Sequence, residues 1–146
     1  MPENIHNLTL KQMLALGIGT TIHFSLLNGY TDDPDHDFMS SLSAFEIATT
    51  TGYTQGYAAG VAGRTLDGVV FAQDNPNNWA TMDATDEVIA NIGVPAGVAI
   101  GHLALWLPGT SYADARVIRA YPAAQTLNGG NLTLQFNAVG LVKLTG

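Results

Sequence analysis

The chain contains no cysteine, which excludes disulfide frameworks, thiolate metal sites and cysteine nucleophiles together. Positive charge is almost as scarce. Only Lys11, Arg64, Arg116, Arg119 and Lys143 carry it, five residues in 146 against twelve carboxylates, for a net charge of −7. Basic residues spread this thinly cannot neutralise a row of phosphates, so no contact with nucleic acid is expected. No apolar run reaches the roughly twenty residues that cross a bilayer, and no membrane contact is expected either. Residues 1–19 lack a basic start, hold only a short apolar stretch and place Glu3 near the beginning, which argues against a secretory signal.

Catalytic signatures are missing as well. The four histidines, His6, His23, His36 and His102, show neither HExxH nor any other ligand spacing. There is no GxSxG elbow and no glycine-rich phosphate loop. The expectation is a protein that is not an enzyme, with no catalytic, cofactor-binding or metal-binding residue and no cofactor. His23 and His102 fall inside predicted strands, where a hydrogen-bonded structural role is expected of them.

What is present is apolar and turn-rich. Hydrophobic residues make up 47% of the chain and charged residues 12%, about half the usual charged share of a soluble domain. Such a surface is hard to keep soluble alone, so part of it is expected to be buried against other subunits. The central local feature is TTIHFSLLNGYTDDPDHD, residues 20–37. Its first half alternates, placing Ile22, Phe24 and Leu26 on one sealed face and His23, Ser25 and Leu27 on a mixed one. Asn28-Gly29 ends the strand, and the chain then concentrates Asp32, Asp33, Asp35 and Asp37 around Pro34 and His36. These carboxylates raise the question of Ca²⁺, but glycine at position six and glutamate at position twelve of an EF-hand loop are absent in register with Asp32. The plain reading is a solvated turn whose last residue, Asp37, caps a helix. An intermediate reading pairs the acids with a basic rim on a neighbouring protein.

Around this feature the periodicities predict a short helix with Leu10, Met13 and Leu14 inward, capped by Asn7 or Thr9 and stopped by Gly17. A second short helix carries Phe38, Leu42 and Phe45. Strands or extended edges are expected at residues 49–57, 69–71, 98–107, 115–121, 132–137 and 141–144. In residues 115–121, Val117, Arg119 and Tyr121 share one face and Arg116, Ile118 and Ala120 the other. Residues 74–97 are irregular, with a turn at 75–78 and a helical turn or loop over 83–92. A tight turn is expected at Ala138–Gly140. The expected fold is mainly β: a single-domain antiparallel β-sandwich or barrel with one or two short helices. Residues 1–19 form an N-terminal arm and short helix, and residues 20–146 the β-rich domain.

The order LLNGYT, DPDHDF, SSLSAFEI, TGYTQGYAAGVAGRTL and finally GGNLTLQFNAVGL resembles a family of small tailed-bacteriophage virion proteins. That family's pattern runs IKVALL…YTPD…DFWSD, then EVSGTGYTAGG…L.GKT, and closes on a GGDFTIQWNADGIL-like hairpin. The likeness extends over roughly residues 20–145. Met39 stands where an aromatic is usual, and residues 75–97 match poorly. The resemblance implies a virion structural protein on the capsid surface that binds the major capsid protein of the assembled shell and decorates or cements it. By the same analogy the oligomer is a homotrimer or another homo-oligomer. The alternative is a tail, neck or fibre module recognising a host-surface glycan, with Tyr30, Tyr53, Tyr57, Trp79 and Tyr112 as stacking platforms.

Overall fold

A computed structural model describes residues 6–58, 61–62, 64–93, 98–136 and 141–145. In chain order it contains helix α1 (Asn7–Ile18), strand β1 (His23–Leu27) and helix α2 (Met39–Leu42), which runs into a turn of 3-10 helix at Ser43–Phe45. Short strands β2 (Tyr57–Ala58), β3 (Val61–Ala62) and β4 (Arg64–Thr65) follow, then β5 (Val70–Asp74), β6 (Trp79–Asp83) and β7 (Glu87–Ile89). The chain closes with β8 (Ala99–Leu107), β9 (Arg116–Thr126), β10 (Leu132–Leu134) and β11 (Val142–Thr145). The fold is mainly β, and every strand pair is antiparallel, as the alternation predicts. The strand orders are open, so no barrel closes among the described residues.

The chain divides into two compact units. The first comprises the described parts of Met1–Thr20, Leu66–Asp86 and Gln135–Gly146. Here α1 lies against the sheet β11-β6-β5. Leu10 and Leu14, four residues apart on one face, are the helix's buried contacts. Met13, expected inside, is 49% exposed, because the sheet receives only the narrow stripe that Leu10 and Leu14 define. Neither Asn7 nor Thr9 caps the helix: His6 holds the N-cap position without a side-chain bond, and Asn7 Nδ2 donates instead to Asn75 Oδ1 at 3.0 Å. The helix passes through Gly17 and stops at Gly19, whose φ of 72° turns the chain out while its N–H reaches Ala15 O.

β6 is the middle strand of this sheet, and its Ala80 and Met82 are fully buried. The expected helical turn over 83–92 is therefore corrected twice. Its first residue belongs to β6, and Glu87–Ile89 form β7, paired with β10 in the second unit. A pairing partner distant in sequence overrides weak local preference. The turn at 75–78 is present, with Asn78 at a positive φ.

The second unit, Thr21–Thr65 with Glu87–Leu134, is built on the sheet β4-β1-β8-β9. β8, which falls in the strand expected at residues 98–107, sits between β1 and β9. β1 departs from the expectation of one mixed face, since all five of its residues are buried. Ser25 and His23 are tolerated there because Trp106 uses both. Its indole N–H donates to Ser25 Oγ at 3.1 Å, and its ring stacks on His23 at 4.7 Å. Leu27, Tyr30, Met39, Leu42, Ala104, Trp106 and Ala115 form one buried cluster on this side of the sheet.

The second helix differs from its expected form. Met39 and Leu42 point inward, whereas Phe38 is 42% exposed and still bridges in strand fashion to Arg116. Asp37 makes no side-chain cap, and its carbonyl instead accepts the Val117 N–H at 2.8 Å. β9 runs five residues past Tyr121, to Thr126, and the expected two faces of this strand do not hold. A bulge sets Val117 opposite Trp106 while Arg119 is already opposite Leu105. The extra residue shifts the phase of the alternation, so Val117 and Ala120 both pack against the buried cluster. In β10, Leu132 and Leu134 are buried and Thr133 exposed, as the alternation predicts. Asn137 and the tight turn expected at Ala138–Gly140 lie outside the described residues.

Candidate functional site

The acidic loop is organised by its own main chain. Asp33 Oδ1 accepts the Asp35 N–H at 3.0 Å, and Asp33 O accepts the His36 N–H at 3.1 Å. The other carboxylate oxygen of Asp33 lies 3.7 Å from His36 Nε2, and Tyr30 Oη lies 3.3 Å from His36 Nδ1 and accepts the Asp33 N–H. Tyr30 itself is buried, and burial, then the charges of Asp32 and Asp33, push its hydroxyl pKa up. One oxygen of Asp33 is thus committed within the turn, and the other faces His36 beyond hydrogen-bond distance. Among the described residues no group of three His, Asp or Glu side chains gathers closely enough to hold a metal ion.

Beside the loop, a cleft of about 450 Å³ separates Tyr30, Asp32, Asp33, Pro34, His36 and Asp37 from residues 117–122 of β9. The Arg119 guanidinium lies over the Tyr121 ring at 5.4 Å. Burial, opposed by Arg119, leaves the Tyr121 hydroxyl pKa pushed up to about 12.

A second polar centre lies inside the same unit, and the sequence reading missed it. Glu46, only 6% exposed, accepts Tyr53 Oη at one carboxylate oxygen and Tyr112 Oη at the other, both at 2.7 Å. Tyr53 Oη in turn accepts the Leu26 N–H at 3.0 Å, and the side chain of Gln55 donates to Glu46 O. The signal was available: Glu46 is the one carboxylate between Asp37 and Asp67, set in the apolar run AFEIA. Burial first, and then the adjoining Glu46 carboxylate, raise the pKa of both phenols well above the ordinary tyrosine range. Phenols that hold their protons this firmly are poor acids. The group ties the segment after α2 and the 109–115 loop to β1, which is a structural task.

The remaining singled-out residues disperse. His23 and His102 are strand residues, as expected, but the Nδ1 atom of each is buried without a hydrogen-bond partner, contrary to the expected hydrogen-bonded role. Both spend their rings on aromatic contacts instead, His23 on Trp106 and His102 edge-on to Tyr30 at 5.4 Å. Of the proposed stacking platforms, Tyr30 and Tyr53 are buried, and Tyr57 and Tyr112 meet edge to face beneath Trp106. Trp79 carries Lys143 over its ring at 4.1 Å. The largest exposed apolar side chains of α1 are Leu8, Met13 and Leu16, the last 88% exposed; Thr9 and Gln12 complete that outer face, which bears no charge. No helix among the described residues is long and apolar enough to cross a membrane.

No protein-family model matches the chain, and no curated protein or solved structure is found to match it.

Proposed function

We propose that the chain is a bacteriophage virion structural protein that binds the outside of an assembled capsid and decorates or cements it. The observation that carries the reading is the ordered series of motifs from LLNGYT to GGNLTLQFNAVGL, spaced as in small virion proteins over most of the chain. Two physical features support it. The outer face of α1 presents Leu8, Met13 and Leu16 without a charge, a surface suited to lasting apolar contact. The polar centre at Glu46 is consumed in holding loops together, as befits a rigid scaffold. On this reading the partner is the major capsid protein, the protein acts as a homo-oligomer on the virion surface, and it performs no catalysis. The glycan-binding alternative is less favoured, because four of its five stacking rings are engaged within the second unit.

Capsids lacking the protein should assemble normally yet burst at lower temperature or weaker osmotic shock. Purified protein added back should restore resistance and saturate at a fixed ratio to capsid subunits. Particles equally robust without it, but unable to adsorb to host cells, would sink the proposal and favour tail recognition.

A further inference from the structure

The chain contains two Asn-Gly pairs, Asn28-Gly29 and Asn128-Gly129, and both are exposed. Such a pair is chemically fragile, because a glycine nitrogen with no side chain beside it can attack the asparagine side-chain amide. Both glycines take a positive φ, 70° at Gly29 and 82° at Gly129. What separates the two pairs is the electrophile. Asn128 Oδ1 accepts the Gly130 N–H at 3.0 Å, so the side chain is folded forward along the chain. A Cβ placed on Gly130 would lie 3.1 Å from that oxygen and 4.0 Å from Asn128 Cγ. The small ring closed by this bond sets the amide carbon beside the Gly129 nitrogen. The Gly130 N–H also points at the oxygen on which negative charge develops during attack. Buried Leu127 and Leu132 hold the bend from either side, and the Leu127 N–H donates to Val98 O. A Cβ placed on Gly129 would meet nothing within 4 Å, which leaves that peptide room to swing. Among the described residues the side chain of Asn28 has no such donor, and its main-chain N–H is held by Phe45 O at 2.8 Å.

We propose that Asn128 is a self-modification site, which converts without an enzyme to aspartate or isoaspartate. The Gly129 nitrogen bonds to Asn128 Cγ and gives up its proton, the Cγ–Nδ2 bond breaks, and ammonia leaves with the proton. One water molecule then opens the cyclic imide. Attack at Cγ restores the main chain and yields aspartate, whereas attack at the Asn128 main-chain carbonyl routes the chain through Cγ and yields isoaspartate. Either product adds a negative charge to a chain already at −7. Isoaspartate also lengthens the connection that holds the end of β7, where Gly130 O accepts the Ile92 N–H and Asn131 Oδ1 the Asn91 N–H, both at 3.0 Å. The inference goes beyond capsid decoration and does not depend on it.

The test incubates the full chain in mildly alkaline buffer, folded or in urea, and locates the products by tandem mass spectrometry. Isoaspartyl methylation gives a second readout. In the folded chain Asn128 should convert several-fold faster than Asn28, and amide exchange at Asn91 and Ile92 should quicken as isoaspartate accumulates. In urea, where the Gly130 bond is lost, the two rates should converge. Gly130→Pro removes the donor and, with an unchanged circular dichroism spectrum, should slow Asn128 to the pace of Asn28. If that variant does not fold, the comparison of folded and urea-treated chain decides alone. The proposal is overturned if Asn28 keeps pace with Asn128 in the folded chain. It is equally overturned if folded Asn128 stays intact while the urea-treated chain converts, or if a folded Gly130→Pro variant converts as fast.

Discussion

Tyr53 does two things with one oxygen: it donates to Glu46 and accepts from the Leu26 N–H. Tyr112 donates to Glu46 and has Ser25 and the Gly56 main chain beside its hydroxyl, but it accepts from no strand N–H. Removing the Tyr112 hydroxyl costs one charge-assisted hydrogen bond, whereas removing that of Tyr53 also orphans a buried strand N–H. Tyr112→Phe should therefore lower stability by about 1–2 kcal/mol and Tyr53→Phe by about 2–4 kcal/mol, as read by urea unfolding. Equal losses would contradict the shared role of the Tyr53 oxygen. The phenols also set an alkaline limit. Tyr30, Tyr53, Tyr112 and Tyr121, four of the five tyrosines, all have raised pKa values. An unfolded tyrosine loses its proton near pH 10, while these four keep theirs in the folded state. Their contribution is complete below about pH 10 and drains away as pH climbs through the folded-state values, because the unfolded chain then binds fewer protons. Ultraviolet titration should show these four ionising late and together with unfolding. At this scale the sequence was hardest to read. Tyr53 and Tyr112 looked like sugar platforms because a ring on paper has no address, and Glu46 drew no attention because its partners lie seven and 66 residues away.

Elements were legible where their pattern was local. β10 shows this most clearly, with Leu132 and Leu134 under cover and Thr133 in solvent. Leu134→Ala should cost about 2–5 kcal/mol in denaturant unfolding, as should Phe24→Ala on β1, and Thr133→Ala much less. Comparable midpoints for all three would mean the facing is wrong. Where the pattern failed, the cause was a partner far along the chain. Residues 87–89 read as loop or helix until β10 supplies a strand to pair with. The faces of β9 were misjudged because a bulge shifts the count by one, and nothing in RVIRAY announces it. The helix stop fell at Gly19 because that residue takes the positive φ, whereas Gly17 stays within the helix.

For the whole molecule, the scarcity of charge is the property read most directly from composition. In its one concentrated acidic feature, Asp33 organises the turn through one carboxylate oxygen, and no three His, Asp or Glu side chains among the described residues gather closely enough to hold a metal ion. Calorimetric titration with Ca²⁺ should accordingly give no saturable heat in the micromolar range, and Asp33→Asn with Asp35→Asn should leave the fold intact. A clear one-site isotherm would overturn this. The cleft next to that turn could not be foreseen, because its other wall comes from a strand some eighty residues later, brought there by sheet pairing alone. The two tryptophans offer a separate consequence. Trp106 lies in one compact unit, fully buried among rings, and Trp79 lies in the other, half-covered with an ammonium above it. Each unit thus carries a single indole fluorophore in a distinct setting, blue-shifted for Trp106 and redder for Trp79. With Trp79→Phe and Trp106→Phe as single-colour controls, emission during a denaturant ramp would report each half of the chain on its own.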